Sequence, residues 1–240
     1  EFADSVYIQD VEEIIMRQIQ YNSNISNEGI KNDWGANIGS VLLKVYGDDI
    51  KNRAKAAAAA GSDARMSGCE LPVIINSGSG NQGMTCSLPV IEYSRELGST
   101  KDELIRALVV SNLITIHLKT GIGRLSAYCG AISAGAGAGA GIAYILGGGY
   151  EEVSHTIVNA LAITSGIICD GAKPSCAGKI AAAVDAGILG YYMYKQGQQF
   201  RRGDGIITAG VENTIHNINR LGHDGMKETD KEIISIMLEN

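Results

Sequence analysis

Three cysteines and one glycine-rich segment are the residues of this sequence whose types could do chemistry. Cys169 and Cys176 flank a polar turn that contains Pro174 and leads into an alanine-rich helix, while Cys129 lies 40 residues earlier. Thiolates at a helix start are stabilised and can be presented to a metal. Spacing alone leaves a second interpretation open, because isolated cysteines are commonly small buried apolar residues and no C-x-x-C pair occurs.

The glycine-rich segment follows a short β-branched run and could bind an anion. Its side-chain donors and glycines that free backbone N–H groups are Ser77, Gly78, Ser79, Gly80, Asn81 and Gln82. Such a segment at a helix start suits a substrate carboxylate. The G-x-G-x-x-G spacing also matches the dinucleotide-binding fingerprint, but Pro89 interrupts the helix that would follow and no βαβ pattern appears. A tight turn with local hydrogen bonds is the structural alternative.

The elements that must position these residues are mostly helices. Apolar periodicity, caps and glycine stops predict a mainly α, compact multi-helix domain with a short extended segment, Leu71–Asn76, and glycine-rich loops. No Pro/Ser-rich linker divides residues 1–240, so a single unit is expected. The predicted helices are Val6–Gln20, Ile38–Val45, Ile50–Met66, Leu88–Leu97, Lys101–Lys119 with a Thr100–Glu103 capping box, a small-residue helix ending at Leu146, Glu151–Ser165, Ala177–Gly190, Gly210–Gly222 and Glu228–Leu238.

Composition limits the class of ligand and the compartment. A net charge of -6 argues against nucleic acid, because binding to the phosphate backbone needs a basic face. Five cysteines, an odd number, do not suit a secreted disulfide framework, so a cytoplasmic location is expected. The uncharged stretch Ala127–Tyr150 is long enough to span a membrane, but its alternating alanine and glycine predict a closely packed core helix instead.

Three segments together carry a resemblance to a known family. They are Ser77-Gly-Ser-Gly-Asn-Gln-Gly83, Cys129-Gly-Ala-Ile-Ser-Ala-Gly-Ala-Gly-Ala-Gly139 and Gly166-Ile-Ile-Cys-Asp-Gly-Ala-Lys-Pro-Ser-Cys176. In this order they resemble the L-cysteine desulfidase family, relatives of the iron-sulfur L-serine dehydratase alpha chain. The resemblance runs from about Asp10 to the end of the chain.

The resemblance implies a 4Fe-4S lyase without pyridoxal phosphate. By this resemblance Cys129, Cys169 and Cys176 are the cluster cysteines, and the Ser77–Gly83 loop binds the carboxylate of a small amino acid. The fourth iron acts as a Lewis acid on the leaving sulfur or hydroxyl. L-cysteine or L-serine is converted to pyruvate and ammonia, with sulfide or water as the other product.

One expected feature is missing from the sequence. Members of the family carry an earlier cysteine in a Gly-Cys-Thr-Glu-Pro-like segment, and no such segment is present here. The chain is therefore expected to be the C-terminal, cluster-binding portion of a longer parent protein. This fragment is expected to be inactive alone and need not retain its cluster. Its partners are then the missing N-terminal portion and a small amino acid, with no nucleic acid or membrane, and the sequence leaves a homo-oligomer open.

The base that removes the Cα proton is less defined. Lys173 lies between two predicted ligands and is a candidate catalytic residue if burial lowers its pKa. The alternative for Lys173 is an exposed lysine at a helix start. A noncatalytic helical module that binds a small anion or a partner is the alternative function, and it is favoured if the three cysteines are buried in separate apolar clusters.

Overall fold

The computed structural model describes residues 1–123 and 125–239, which form eleven α-helices and one π-helical turn. The predicted mainly α fold is confirmed, since two isolated β-bridges are the only extended pairing in these ranges. In chain order the helices are α1 (Phe2–Ser5), α2 (Ile8–Lys31), α3 (Ile38–Tyr46), α4 (Ile50–Met66), α5 (Gly80–Leu97), α6 (Lys101–Ile122), α7 (Gly130–Ile145), α8 (Tyr150–Thr164), α9 (Cys176–Lys195), α10 (Val211–Arg220) and α11 (Lys227–Glu239), with the π-helical turn at Leu221–Gly225.

Helix α7 lies at the centre of the bundle because its glycines allow neighbouring backbones to approach closely. Gly135 and Gly139, one turn apart, face α9, and a Cβ atom on Gly139 would lie 2.8 Å from the Cα of Gly187. Gly137 faces α6, where a Cβ atom would lie 2.7 Å from the carbonyl oxygen of Ser111. Residues larger than glycine cannot occupy these positions without displacing a neighbouring helix.

Helices α5, α7 and α9 run parallel, so their N-termini meet at one end of the bundle. Gly130 of α7 lies against Gln82 of α5, and Gly141 of α7 lies against Val90 of α5, so residue numbers increase in the same direction along both helices. The contacts of α7 with α9 advance in the same direction. Because the N-terminus of a helix carries partial positive charge, this end of the bundle favours negatively charged groups.

Helix α6 is the one described helix that is long and apolar enough to cross a membrane, and half of its most apolar part is buried against other helices. The predicted core helix in Ala127–Tyr150 corresponds to α7, which has 16 residues and is buried along almost its whole length.

Helix α2 extends to Lys31, whereas the sequence predicts its end at Gln20. Its polar second half is buried and hydrogen-bonded to the rest of the fold. The amide of Asn22 donates to Ser87 Oγ at 3.0 Å, and its Oδ1 accepts from the backbone N–H of Ile74 at 2.9 Å. Buried polar groups with partners are tolerated in a core, and the polar composition of this segment therefore does not end the helix.

Helix α5 begins at Gly80 and not at Leu88, so the second half of the predicted glycine-rich loop is helical. The prediction that Pro89 interrupts the helix was wrong. Proline removes one backbone hydrogen bond and pushes away the carbonyl groups of the preceding turn. The carbonyl oxygen that loses its helical donor is that of Thr85, four residues before the proline. The hydroxyl of Ser111 on α6 donates to the adjacent carbonyl oxygen of Cys86 at 2.6 Å and so ties this turn of α5 to a neighbouring helix.

Candidate functional site

The three predicted ligand cysteines come together where α7 and α9 begin. An isolated antiparallel bridge pairs Tyr128 with Ile168, and the N–H of Cys169 donates to the Ala127 carbonyl at 2.7 Å. This pairing brings the thiols of Cys129 and Cys169 close enough for each to shift the pKa of the other.

Cys176, the first residue of α9, completes this group of thiols. Its thiol donates to the carbonyl oxygen of Gly171 at 3.4 Å, and it lies near enough to Cys129 for its charge to act on that thiol. All three cysteines are free thiols. The structure therefore places them in one group and not in separate apolar clusters.

The thiols of Cys129 and Cys169 differ in acidity. The neighbouring thiol of Cys129 lowers the pKa of Cys169, and the N–H of Gly171 and the ammonium of Lys179 act in the same direction. The proximity of Cys169, together with burial, raises the pKa of Cys129. Because thiolates are the form that binds metals and reacts with electrophiles, Cys169 is the first of the pair to be available for either.

Alkylation of the reduced chain should show this difference. We expect the rate of Cys169 labelling by iodoacetamide to rise with a midpoint below that of an ordinary cysteine, because its surroundings favour the thiolate. Cys129→Ala removes the neighbouring thiol that contributes most to this effect and should move the midpoint upward. Cys86, buried and with its pKa raised to about 12, is an internal control that should stay unlabelled. A wild-type midpoint at the ordinary cysteine value would contradict the pairing.

The predicted carboxylate-binding segment forms a tight turn followed by the start of α5. Asn76 and Ser79 exchange two backbone hydrogen bonds of 3.1 and 3.0 Å, while Ser77 and Gly78 between them have φ angles of 50° and 83°. Two consecutive positive φ angles define a type I′ turn. The backbone N–H groups of Ser77 and Gly78 have no partner among the described residues and are free to bind an anion.

A network of side-chain amides holds this turn against α2 and α6. The Ser77 hydroxyl donates to Asn76 Oδ1 at 2.8 Å, and the Asn76 amide donates to Asn112 Oδ1 at 2.9 Å. Asn112 and Gln18 exchange two further hydrogen bonds of 2.8 and 3.0 Å. Satisfied polar networks of this kind hold one geometry. Sequence reasoning missed Asn112 and Gln18, because polar residues within apolar helices carry no signal of what they face.

Gln82 joins the turn to the cysteines. Its side chain lies so close to Gly130 that a Cβ atom there would be 2.5 Å from Gln82 Nε2, and Gly130 directly follows Cys129. Gln82 is buried, and its Oε1 has no hydrogen-bond partner in the described chain. A buried acceptor without a partner is costly unless a ligand supplies a donor. Asn81 of the same segment already has a partner within the chain, because its Oδ1 accepts a hydrogen bond from Arg65 at 3.1 Å.

Lys119 is a functional candidate that sequence reasoning missed. It lies near the end of α6 and is 5% exposed, yet its ammonium forms no ion pair or hydrogen bond within residues 1–123 and 125–239. Burial lowers its pKa, and the charges of Cys169 and Cys129 partly offset this effect. A signal was present in the spacing, because Ser111, Thr115 and Lys119 recur every fourth residue on a buried face of α6.

Lys173, the predicted base, lies on the exposed surface of the turn between Cys169 and Cys176. Its backbone N–H approaches Cys176 Sγ at 3.5 Å, while its ammonium favours the charged form of Asp170. The described residues leave its side chain exposed. Its catalytic role stays a prediction.

The three thiols are the type of donor that iron-sulfur clusters use. Among the described residues no three His, Cys, Asp or Glu side chains lie close enough to hold one metal ion. In a four-iron cluster each thiolate binds a separate iron, so the thiols need not meet at one point. All three cysteines are free, and Cys129 and Cys176 lie at the starts of α7 and α9. The chemistry of these donors is therefore compatible with such a cluster.

Comparisons with known proteins give one family. Residues 2–235 match the family model described as serine dehydratase alpha chain. A UPF0597 protein of Desulfitobacterium hafniense is 75% identical over 99% of this chain, and one of Lachnoclostridium phytofermentans is 58% identical over the same share. The chain covers 55% and 57% of these two proteins, about half of their length. No solved structure matches it.

Proposed function

Because the chain belongs to the serine dehydratase alpha chain family, we propose that it is the cluster-binding part of an iron-sulfur lyase of the cytoplasm. The substrate is L-cysteine or L-serine, and the products are pyruvate, ammonia and sulfide or water. The observation that carries this proposal is the grouping of Cys129, Cys169 and Cys176 beside Gln82. The resident cofactor in this proposal is a 4Fe-4S cluster, with no pyridoxal phosphate.

The three cysteines would hold the cluster, which supplies a Lewis-acid iron for the β-substituent of the substrate. The chain prepares this site through charge. The neighbouring thiol of Cys129, the backbone N–H of Gly171 and the ammonium of Lys179 all favour the thiolate of Cys169 and lower its pKa. Lys179 is itself held by an ion pair with Asp170 in the turn before α9.

The substrate would lie between the Ser77 turn and the cysteines. Free N–H groups of Ser77 and Gly78 suit its carboxylate, and Gln82 Oε1 suits its ammonium. Lys173 remains our proposal for the base that removes the Cα proton. Its exposure requires a cover, which we assign to the part of the longer relatives that this chain does not include.

A second candidate function is a noncatalytic module that binds a small anion. The unpaired ammonium of Lys119 favours it, because this charge could attract an anion with no cluster present. The two candidates differ in whether iron is required. Binding of an amino acid alone is compatible with both.

Turnover by a protein of the relatives' length that contains this chain tests the proposal. After anaerobic reconstitution we expect pyruvate from L-serine, or pyruvate and sulfide from L-cysteine, and no measurable turnover for Cys176→Ala. Cys69→Ala, which changes a partly buried thiol outside the group, is the matched control and should keep its activity. A wild-type protein that binds L-serine but forms neither product would favour the anion-binding module.

A further inference from the structure

A cleft of about 820 Å³ connects the Ser77 turn with α6. Ser77 and Gly78 line one side of this cleft, Lys119 and Thr120 line the other, and Ile75 and Ile116 add apolar surface. Lys119 is nine-tenths buried and faces this space without a partner among the described residues. Its ammonium opens onto the cleft and is partly desolvated by the surrounding residues, so an anion in the cleft would meet a positive charge that has no partner.

We propose that Lys119 is the residue that makes this site specific for carboxylates, by binding the carboxylate of the amino acid opposite the free N–H groups of Ser77 and Gly78. The choice of an amino acid as the ligand rests on the proposed function. It assigns to α6 a role that neither the three sequence motifs nor the family comparison gives to it. A charged ammonium and two backbone donors together bind a carboxylate more strongly than neutral donors do.

The position of Lys119 also relates this subsite to the cysteines. The charges of Cys169 and Cys129 act on its ammonium, so a carboxylate bound there lies within electrostatic range of these two thiols. Asp230 of α11 also faces this ammonium from a distance, without forming an ion pair. An amine that lacks a carboxylate would leave Lys119 unpaired and is rejected for that reason.

Calorimetric titration of the reduced, iron-free chain with L-serine and with ethanolamine tests this inference, because the two ligands differ only in the carboxylate. We expect wild type to prefer L-serine. Lys119→Met should weaken L-serine binding by at least roughly tenfold and remove the preference, as loss of a charged hydrogen-bond partner typically does. Lys119→Arg should restore part of the affinity, and Lys44→Met, an exposed lysine on α3, should leave it unchanged.

Unchanged L-serine affinity in Lys119→Met, or a wild type that does not prefer L-serine, would overturn the inference. Thermal unfolding checks the fold of the variant, and we expect Lys119→Met to be at least as stable as wild type because it removes a buried charge. Failure of the proposed function gives a different result. In that case the preference for L-serine depends on Lys119, but the reconstituted protein neither binds iron nor forms pyruvate.

Discussion

Gly139→Val should destabilise the protein by more than about 3 kcal/mol, a large part of the 5–15 kcal/mol that holds a typical domain together. Even a Cβ atom at Gly139 would lie 2.8 Å from the backbone of Gly187, and a backbone cannot rotate away as a side chain can. Valine adds two further methyl groups at the same position. The helices α7 and α9 must then separate, which opens the centre of the bundle.

Gly178→Val is the matched control for this prediction. Gly178 lies in α9 with no heavy atom within 4 Å of its Cβ position, so the substitution meets open space. Its effect should be within about 0.5 kcal/mol of wild type, since the helix propensities of valine and glycine differ little. Urea unfolding followed by circular dichroism measures both variants. Equal stability of Gly139→Val and Gly178→Val would show that α7 and α9 are not in backbone contact.

Cys169→Ala should abolish iron binding, because all three thiols are needed to hold the proposed cluster. Cys169 ionises more easily than Cys129, and its loss also removes the thiol that neighbours Cys129. Anaerobic reconstitution with iron and sulfide, followed by iron analysis, should give less than one iron per chain on average, against about four for wild type.

Cys69→Ala controls for general effects of removing a thiol. Cys69 is partly buried, like Cys169, but it lies before the extended segment and outside the group of three. It should keep the wild-type iron content. Equal iron in Cys169→Ala and Cys69→Ala would mean that the cluster is held by other residues.

Local signals made much of the fold predictable. Helix α4 begins and ends at the predicted residues Ile50 and Met66, and the predicted capping box of Thr100 and Glu103 forms at the start of α6. Capping residues and alanine-rich stretches act within a few residues of the chain. The prediction failed at Pro89, where α5 continues through the proline because it is buried on both sides of this residue and in contact with a neighbouring helix.

The site depended on tertiary structure more than the fold did. Motif resemblance named Cys129, Cys169 and Cys176, but no spacing in the sequence shows that α5, α7 and α9 run parallel and bring their first turns together. Lys119 was overlooked for the same reason, because its chemical meaning comes from the cleft it faces. The three cysteines could be identified from motifs in the sequence, whereas Lys119 could be identified only from its position in the folded structure.

The central claim is that this chain holds an iron-sulfur cluster on three cysteines beside an amino-acid site. Visible absorbance together with iron and sulfide analysis of an anaerobically reconstituted wild-type protein of the relatives' length that contains this chain tests it most directly. We predict the broad absorbance of a cluster and about four iron and four sulfide per chain. A colourless protein with at most one loosely bound iron would contradict the claim and leave the anion-binding module as the better account.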